Sequence, residues 1–241
     1  MTTLFISDLH LEADRPEIGA QFVDFLETEA RDADSLYMLG DLFESWVGDD
    51  DPNAHYAAMK DAIRRLADSG VPVFFMHGNR DFMIGQQFAA ETGVTLLEDP
   101  LRIELYGQRV LISHGDALCT DDLQYQQVRL MTHDPEWQAM MRAKPLEERL
   151  AFAAEARAAS KAHYESSSED IMDVNAQAVR DVIEEYDVDI LLHGHTHRPA
   201  VHEVNGAEGL SATRIVLGDW YEQGSVVRWD EDGPRLAGLP R

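Results

Sequence analysis

Five short apolar runs each deliver an aspartate, asparagine or histidine just past their carboxyl ends, and this recurrence limits what the chain can fold into. Residues 3–6 run into Ser7-Asp8-Leu9-His10, and residues 36–39 into Gly40-Asp41. Residues 71–76 lead to His77-Gly78-Asn79-Arg80-Asp81, residues 109–113 to His114-Gly115-Asp116, and residues 190–193 to Gly194-His195-Thr196-His197. Runs of this length read as buried strands. Helical patterns lie between several of them, through Ile18, Phe22, Phe25 and Leu26, through Met59, Ile63 and Leu66, over 84–92, and through Val179, Val182, Ile183 and Tyr186. Residues 101–105 and 109–113 flank a Tyr106-Gly107-Gln108 turn and read as a hairpin. Residues 201–204, 213–217 and 224–229 add further strands. Strands that alternate with helices and then follow one another predict an α/β fold with packed sheets.

One stretch departs from this pattern. Residues 121–170 are rich in Ala, Glu, Arg, Gln and Met, with breaks near Pro135 and Pro145. We read it as a helical insertion within a single domain spanning 1–241. Its apolar residues Leu130, Met131, Trp137, Met140, Met141, Leu146, Leu150 and Phe152 have two readings: a greasy groove or the helices' own core. The expectation is a division between the two.

The strand ends are where α/β sheets bind ligands. The side chains gathered there are Asp8, His10, Asp41, Asn79, His114, His195 and His197. Imidazoles and carboxylates suit Mn, Fe or Zn, and seven such groups are enough for two divalent ions. A lone Asp-x-His is more often a turn or a helix cap; five such endings in order are a poor coincidence. The single cysteine, Cys119, excludes an internal disulfide and disfavours a structural zinc site, and it reads as a small buried residue.

Charge narrows the partners. With 45 acidic against 20 basic residues the net charge is −25, which opposes binding to nucleic acid and to anionic lipid. The N-terminal apolar run is too short, and lacks the basic flank, to be a signal peptide or a membrane span. The acidity has two readings, adaptation to a salty solvent or a merely acidic solvated surface, and a salt titration separates them. On the first, the melting temperature should rise from low to high ionic strength in a thermal scan; no gain counts against that adaptation.

The motifs Asp8-Leu9-His10, Gly40-Asp41, Gly78-Asn79, His114-Gly115 and Gly194-His195-Thr196-His197 resemble those of the calcineurin-like metallophosphoesterase superfamily. The resemblance implies a four-layer αββα sandwich. It gives one ion to Asp8, His10, Asp41 and His197, and the other to Asp41, Asn79, His114 and His195. Asp41 would bridge, and a hydroxide between the ions would be the nucleophile. Longer words, Gly40-Asp41-Leu42-Phe43-Glu44-Ser45-Trp46, His114-Gly115-Asp116-Ala117-Leu118-Cys119-Thr120-Asp121-Asp122 and Ile171-Met172-Asp173-Val174-Asn175, are similar to the UDP-2,3-diacylglucosamine diphosphatase family of lipid A biosynthesis. That similarity covers nearly the whole chain. It implies Mn2+-dependent hydrolysis of the UDP-lipid pyrophosphate to UMP and diacylglucosamine 1-phosphate, in the cytoplasm of a Gram-negative cell, peripherally on the inner membrane.

The resemblance also implies substrate contacts at Asn79, Arg80, Asp122, Arg157, Ser160 and His195, with the catalytic work on Asn79, Arg80 and His195. Many relatives in the wider superfamily carry histidine where Arg80 stands. Arginine does not deprotonate near neutral pH, so it cannot serve as a general acid, but it can clamp phosphate. A departing phosphate needs no proton, so Arg80 favours a phosphoanhydride substrate. A plain ion pair with Asp81 is the alternative for this residue. Tyr164 and Ser167 depart from the family pattern of Asn and Lys, which leaves a basic contact missing or supplied by Lys161. Asp116 could orient His114. Two other functions stay open: a nucleotide pyrophosphatase or phosphodiesterase for a soluble substrate, and a catalytically inactive scaffold.

Overall fold

The computed structural model describes residues 1–166, 171, 173–206 and 211–241, without the side chains of 164–166. The Tyr164 side chain and Ser167 therefore lie outside the described residues. Strands β1 (Thr3–Ile6), β2 (Ser35–Leu39), β3 (Val73–Met76) and β4 (Thr95–Leu97) are parallel neighbours. β10 (Gly224–Asp230) and β11 (Gly233–Leu239) close that sheet antiparallel, in the order β11-β10-β1-β2-β3-β4. The second sheet has five strands, in the order 101–105, 108–113, 190–193, 211–216, 200–205. It is built from β5 (Leu101–Leu105), β6 (Gln108–Ser113), β7 (Ile190–His193), β8 (Ala200–Asn205) and β9 (Ser211–Val216).

The alternation of side chains along each strand sorts them into layers. Phe5 and Leu39 point between the sheets, where Val110, Ile112, Leu192, Val227 and Trp229 meet them. Leu4, Ile6, Leu36 and Met38 point the other way, onto α1 (Pro16–Glu27), α2 (Ala54–Asp68) and α3 (Gln86–Thr92). Leu111 and Leu191 leave the second sheet on its far side to pack on α7 (Ala176–Tyr186). Helix, sheet, sheet and helix make the expected αββα sandwich. Each fully buried Phe, Leu or Ile contributes roughly 1.5–3 kcal/mol of transfer free energy.

Two strands escape the sequence patterns. β4 is only three residues long, and none of the three is fully buried. β11 carries Pro234 and two glycines, and proline in a strand is confined to sheet edges, which is where β11 lies. Between β6 and β7 the helices α4 (Leu123–Thr132), α5 (Pro135–Arg142) and α6 (Leu146–Ser166) occupy the stretch read as an insertion. The breaks fall near Pro135 and Pro145 as expected: Pro135 stands at the first position of α5 and Pro145 just before α6, so each proline marks the start of a new helix. Met141 is buried, and Trp137 and Phe152 pack against the main core. Leu130, Met131, Met140 and Leu150 stay exposed. Arg149 anchors α6: its Nη1 and Nη2 donate to Asp50 at 2.8 and 2.5 Å, and Nη1 also donates to Val47 O at 2.6 Å.

Candidate metal centre

Both sheets end at one rim, and the loops that leave β1, β2, β3, β6 and β7 meet there. Asp8, His10, Asp41, His195 and His197 all adopt positive φ, between 51° and 68°. Left-handed backbone is costly for non-glycine residues and persists where function demands a particular side-chain direction. The loops also interlock through the backbone, with Asp8 N donating to Gly40 O and His10 N to Asp41 O. Glycine is needed at 78 and 194 because a Cβ there would overlap the Asp41 and Asp8 carboxylates, respectively.

The seven side chains named from the sequence converge. His10 Nε2 lies 3.1 Å from His197 Nε2 and 3.8 Å from Asp41 Oδ2. The other Asp41 oxygen, Oδ1, is 3.7 Å from His114 Nε2, so this carboxylate faces both halves of the site. Asn79 Oδ1 lies 2.9 Å from His114 Nε2 and 2.9 Å from His195 Nδ1. Donor atoms of Asp8, His10 and His197 fall within 4.8 Å of one another, as do those of Asp8, Asp41 and His114. Such separations fit donors about 2.0–2.2 Å from a shared ion.

The electrostatics fit a cation as well. Asp8, Asp41 and His114 are almost wholly buried, and among the described residues neither carboxylate pairs with a lysine or arginine. Buried carboxylates need a counter-charge, which the neighbouring imidazoles supply in part and a cation would complete. Burial opposes ionisation of Asp8, yet the hydrogen bond to His197 and the nearby imidazoles hold its carboxyl far below the usual range. Burial would lower His114, but the charges of Asp41, Asp8 and Asp116 raise it to about 9. His195, buried beside His114, is pushed down to about 3. The His114 ring is oriented by Leu39 O, 2.9 Å from Nδ1, which leaves Nε2 aimed at the site.

That last contact corrects one expectation. Asp116 does not hydrogen-bond His114; it accepts from Tyr125 Oη at 2.5 Å and Arg129 Nε at 2.9 Å, and so ties α4 to the strand end. Asp81 is not the partner of Arg80 either. It is buried and accepts backbone N–H groups of Gly78, Asp41 and Leu42, stapling two loops together. Arg80 sits at the edge of the site with Nη1 4.0 Å from Glu44 Oε1 and with its buried Nε lacking a partner among the described residues. Asp122 caps α4 through Tyr125 N and meets His163 Nε2 at 2.8 Å, so both its oxygens are engaged. Arg157, half-buried on α6, lies near enough for its charge to act on Glu12 and Glu44. Ser160 is exposed on the same helix. Cys119 is buried and its thiol is pushed up to about 12, as a structural cysteine requires.

Three groups at the site carry no role in the reading of the sequence, although that reading places Glu44 near it. Glu44 Oε2 accepts from His10 Nδ1 at 2.9 Å. Tyr221 stacks on His10 with ring centroids 5.4 Å apart. Asp219 Oδ2 lies 3.5 Å from His197 Nδ1. Asp219 had a signal: Gly218-Asp219 comes one residue past the end of β9, much as Gly40-Asp41 follows β2, a sixth strand end of similar kind. Glu44 was legible as a neighbour of the site, three residues after Asp41, but its partner His10 was not, and Tyr221 had no signal, because these partners are distant in the chain.

The sequence model of the calcineurin-like phosphoesterase family matches residues 1–199. The chain belongs to this family. Among calcineurin-like phosphoesterases it is similar over its full length to curated proteins named UDP-2,3-diacylglucosamine hydrolase. The protein of Xanthomonas oryzae pv. oryzae is 53% identical over 243 residues, covering 98% of each chain. That of Salmonella arizonae is 54% identical over 240 residues, covering 100% of each. A solved archaeal phosphodiesterase matches with a TM-score of 0.50 at 12% identity, over 99% of this chain and 100% of that one, which speaks for the fold alone. The candidate dimetal site is thus set in a phosphoesterase framework.

Proposed function

We propose that this chain hydrolyses the pyrophosphate bond of UDP-2,3-diacylglucosamine, releasing UMP and 2,3-diacylglucosamine 1-phosphate, with two divalent ions, Mn2+ by preference. The reading is carried by the full-length identity of more than half to hydrolases named for that substrate. The convergence of seven ligand-type side chains supports it. Asp8, His10, Asp41 and His197 would hold one ion, and Asp41, Asn79, His114 and His195 the other. When bound, such ions supply Lewis acidity toward phosphoryl oxygens and make water acidic enough to attack. Arg80 then clamps a phosphate oxygen and offsets charge as the phosphorus–oxygen bond breaks. The departing phosphate is a weak base and leaves without a proton. Asn79, whose Oδ1 is turned to His114 and His195, keeps its amide N–H groups for a phosphate oxygen. Helices α4–α6, within a single domain 1–241, serve as a lid that brings Arg157 and Ser160 toward the sugar phosphate.

Product mapping tests this directly. With Mn2+, the chain should release UMP and the lipid 1-phosphate from UDP-2,3-diacylglucosamine; after chelation, turnover should vanish. Cleavage of soluble dinucleotides without cleavage of the lipid would instead assign a nucleotide pyrophosphatase. Fewer than two ions at saturation would revive the reading of a catalytically inactive scaffold.

The substrate's acyl chains bear on location. Among the described residues no helix is long and apolar enough to cross a membrane. Among the described residues, six of the ten exposed large hydrophobics nevertheless lie on α4–α6: Leu123, Val128, Leu130, Met131, Met140 and Leu150. This concentration supports peripheral association with the cytoplasmic face of the inner membrane through the insertion. The net charge of −25 means that the contact is apolar rather than electrostatic. Leu123→Ser and Leu130→Ser should each weaken binding to phosphatidylcholine vesicles by roughly tenfold, from about 1.5 kcal/mol of lost burial. Unchanged co-sedimentation would remove the membrane role.

A further inference from the structure

One carboxylate stands between the two kinds of chemistry at the site. Glu44 is pinned beside the His10 loop by its own backbone, since Glu44 N donates to Leu11 O and Leu11 bridges Phe43. From there Oε2 accepts from His10 Nδ1 at 2.9 Å, while Oε1 lies 4.0 Å from Arg80 Nη1. The side chain is 19% exposed and so is screened only in part.

We propose that Glu44 is a positioning residue that orients His10 through one oxygen and holds Arg80 at the site's edge through the other. The assignment rests on the metal-dependent hydrolase reading above. A carboxylate on Nδ1 keeps the proton there, so the His10 Nε2 lone pair faces Asp41 and His197. The same negative charge draws the Arg80 guanidinium back over the site, on a side chain that otherwise has many rotamers to sample. Glu44 therefore couples metal uptake to the placement of the phosphate clamp. Histidine–carboxylate pairs behind a metal site change its affinity by roughly 10- to 100-fold when broken.

The test separates the two contacts. Mn2+ titration calorimetry of Glu44→Ala should show one of two ions binding roughly 10-fold or more weakly. Glu44→Gln keeps an oxygen for His10 Nδ1–H but loses the charge, so its Mn2+ isotherm should stay within about threefold of wild type. Its kcat should fall about fivefold, and that fall should disappear in an Arg80→Ala background, the mark of a shared interaction. An unchanged Mn2+ isotherm for Glu44→Ala overturns the His10 contact. Additive losses for Glu44→Gln and Arg80→Ala overturn the Arg80 contact. Wild-type protein that binds no Mn2+ refutes the metal-dependent reading itself, and with it both contacts.

Discussion

Asp41→Ala abolishes hydrolysis, lowering kcat/KM by about 10⁴ or more, while the protein stays folded. The size follows from what the side chain faces. Its two oxygens lie 3.8 Å from His10 Nε2 and 3.7 Å from His114 Nε2, so on the proposed reading alanine takes a ligand oxygen from each half of the site at once. Several kcal/mol of charge stabilisation depend on both halves, and each 1.36 kcal/mol is tenfold in rate. Stability should move the other way. Asp41 lies beside the buried Asp81, whose carboxyl is raised by burial and then by the Asp41 charge. Without metal, no arginine or lysine among the described residues pairs with the buried Asp41 carboxylate, and the imidazoles of His10 and His114 offset it only in part, from 3.8 and 3.7 Å. The metal-free variant should therefore melt no lower than metal-free wild type, and added Mn2+ should no longer raise its melting temperature. Kinetics, metal content and thermal melts on the same preparation check all three points. A variant that binds two ions and turns over normally would remove Asp41 from the centre.

Arg80→Ala comes second in size. It should lower kcat by roughly 10²–10³, as removal of one charge-stabilising donor does elsewhere. Both ions should remain, because what Arg80 gives the metal loops is backbone: its N–H donates to Asp41 Oδ1 at 2.8 Å and its carbonyl accepts from Trp46 N. Alanine keeps both bonds. Arg80→Lys should recover only part of the loss, since a point charge replaces a planar fork of donors. Steady-state kinetics with Mn2+ stoichiometry decide the matter; near-normal turnover for Arg80→Ala would end its role as the clamp.

Much of the fold can be read from local pattern. Leu4, Phe5 and Ile6 already announce a strand buried on both faces, and Val179, Ile183 and Tyr186 a helix with one apolar stripe. The ligand-type residues are legible for a related reason. They follow directly on such strands, and strand ends in stacked sheets share a rim. β11 was hidden because Gly233, Pro234 and Gly238 look like a loop, and only pairing with β10 makes a strand of them. Asp116 shows the limit differently. Its place two residues after His114 suggests a partnership, but a Gly115 at φ 112° turns the chain so that Asp116 faces Tyr125 and Arg129.

What the amino-acid order determined here is one-dimensional: which segments alternate, where they stop, and which donors stand at each stop. Those features depend on neighbours in the chain, so they survive without a fold. Only the tertiary structure decided who faces whom across loops: Glu44 with His10, Leu39 with His114, Arg149 with Asp50, Asp122 with His163. These pairs lie 34 to 99 residues apart, and their geometry comes from how two sheets stack and twist rather than from any local preference.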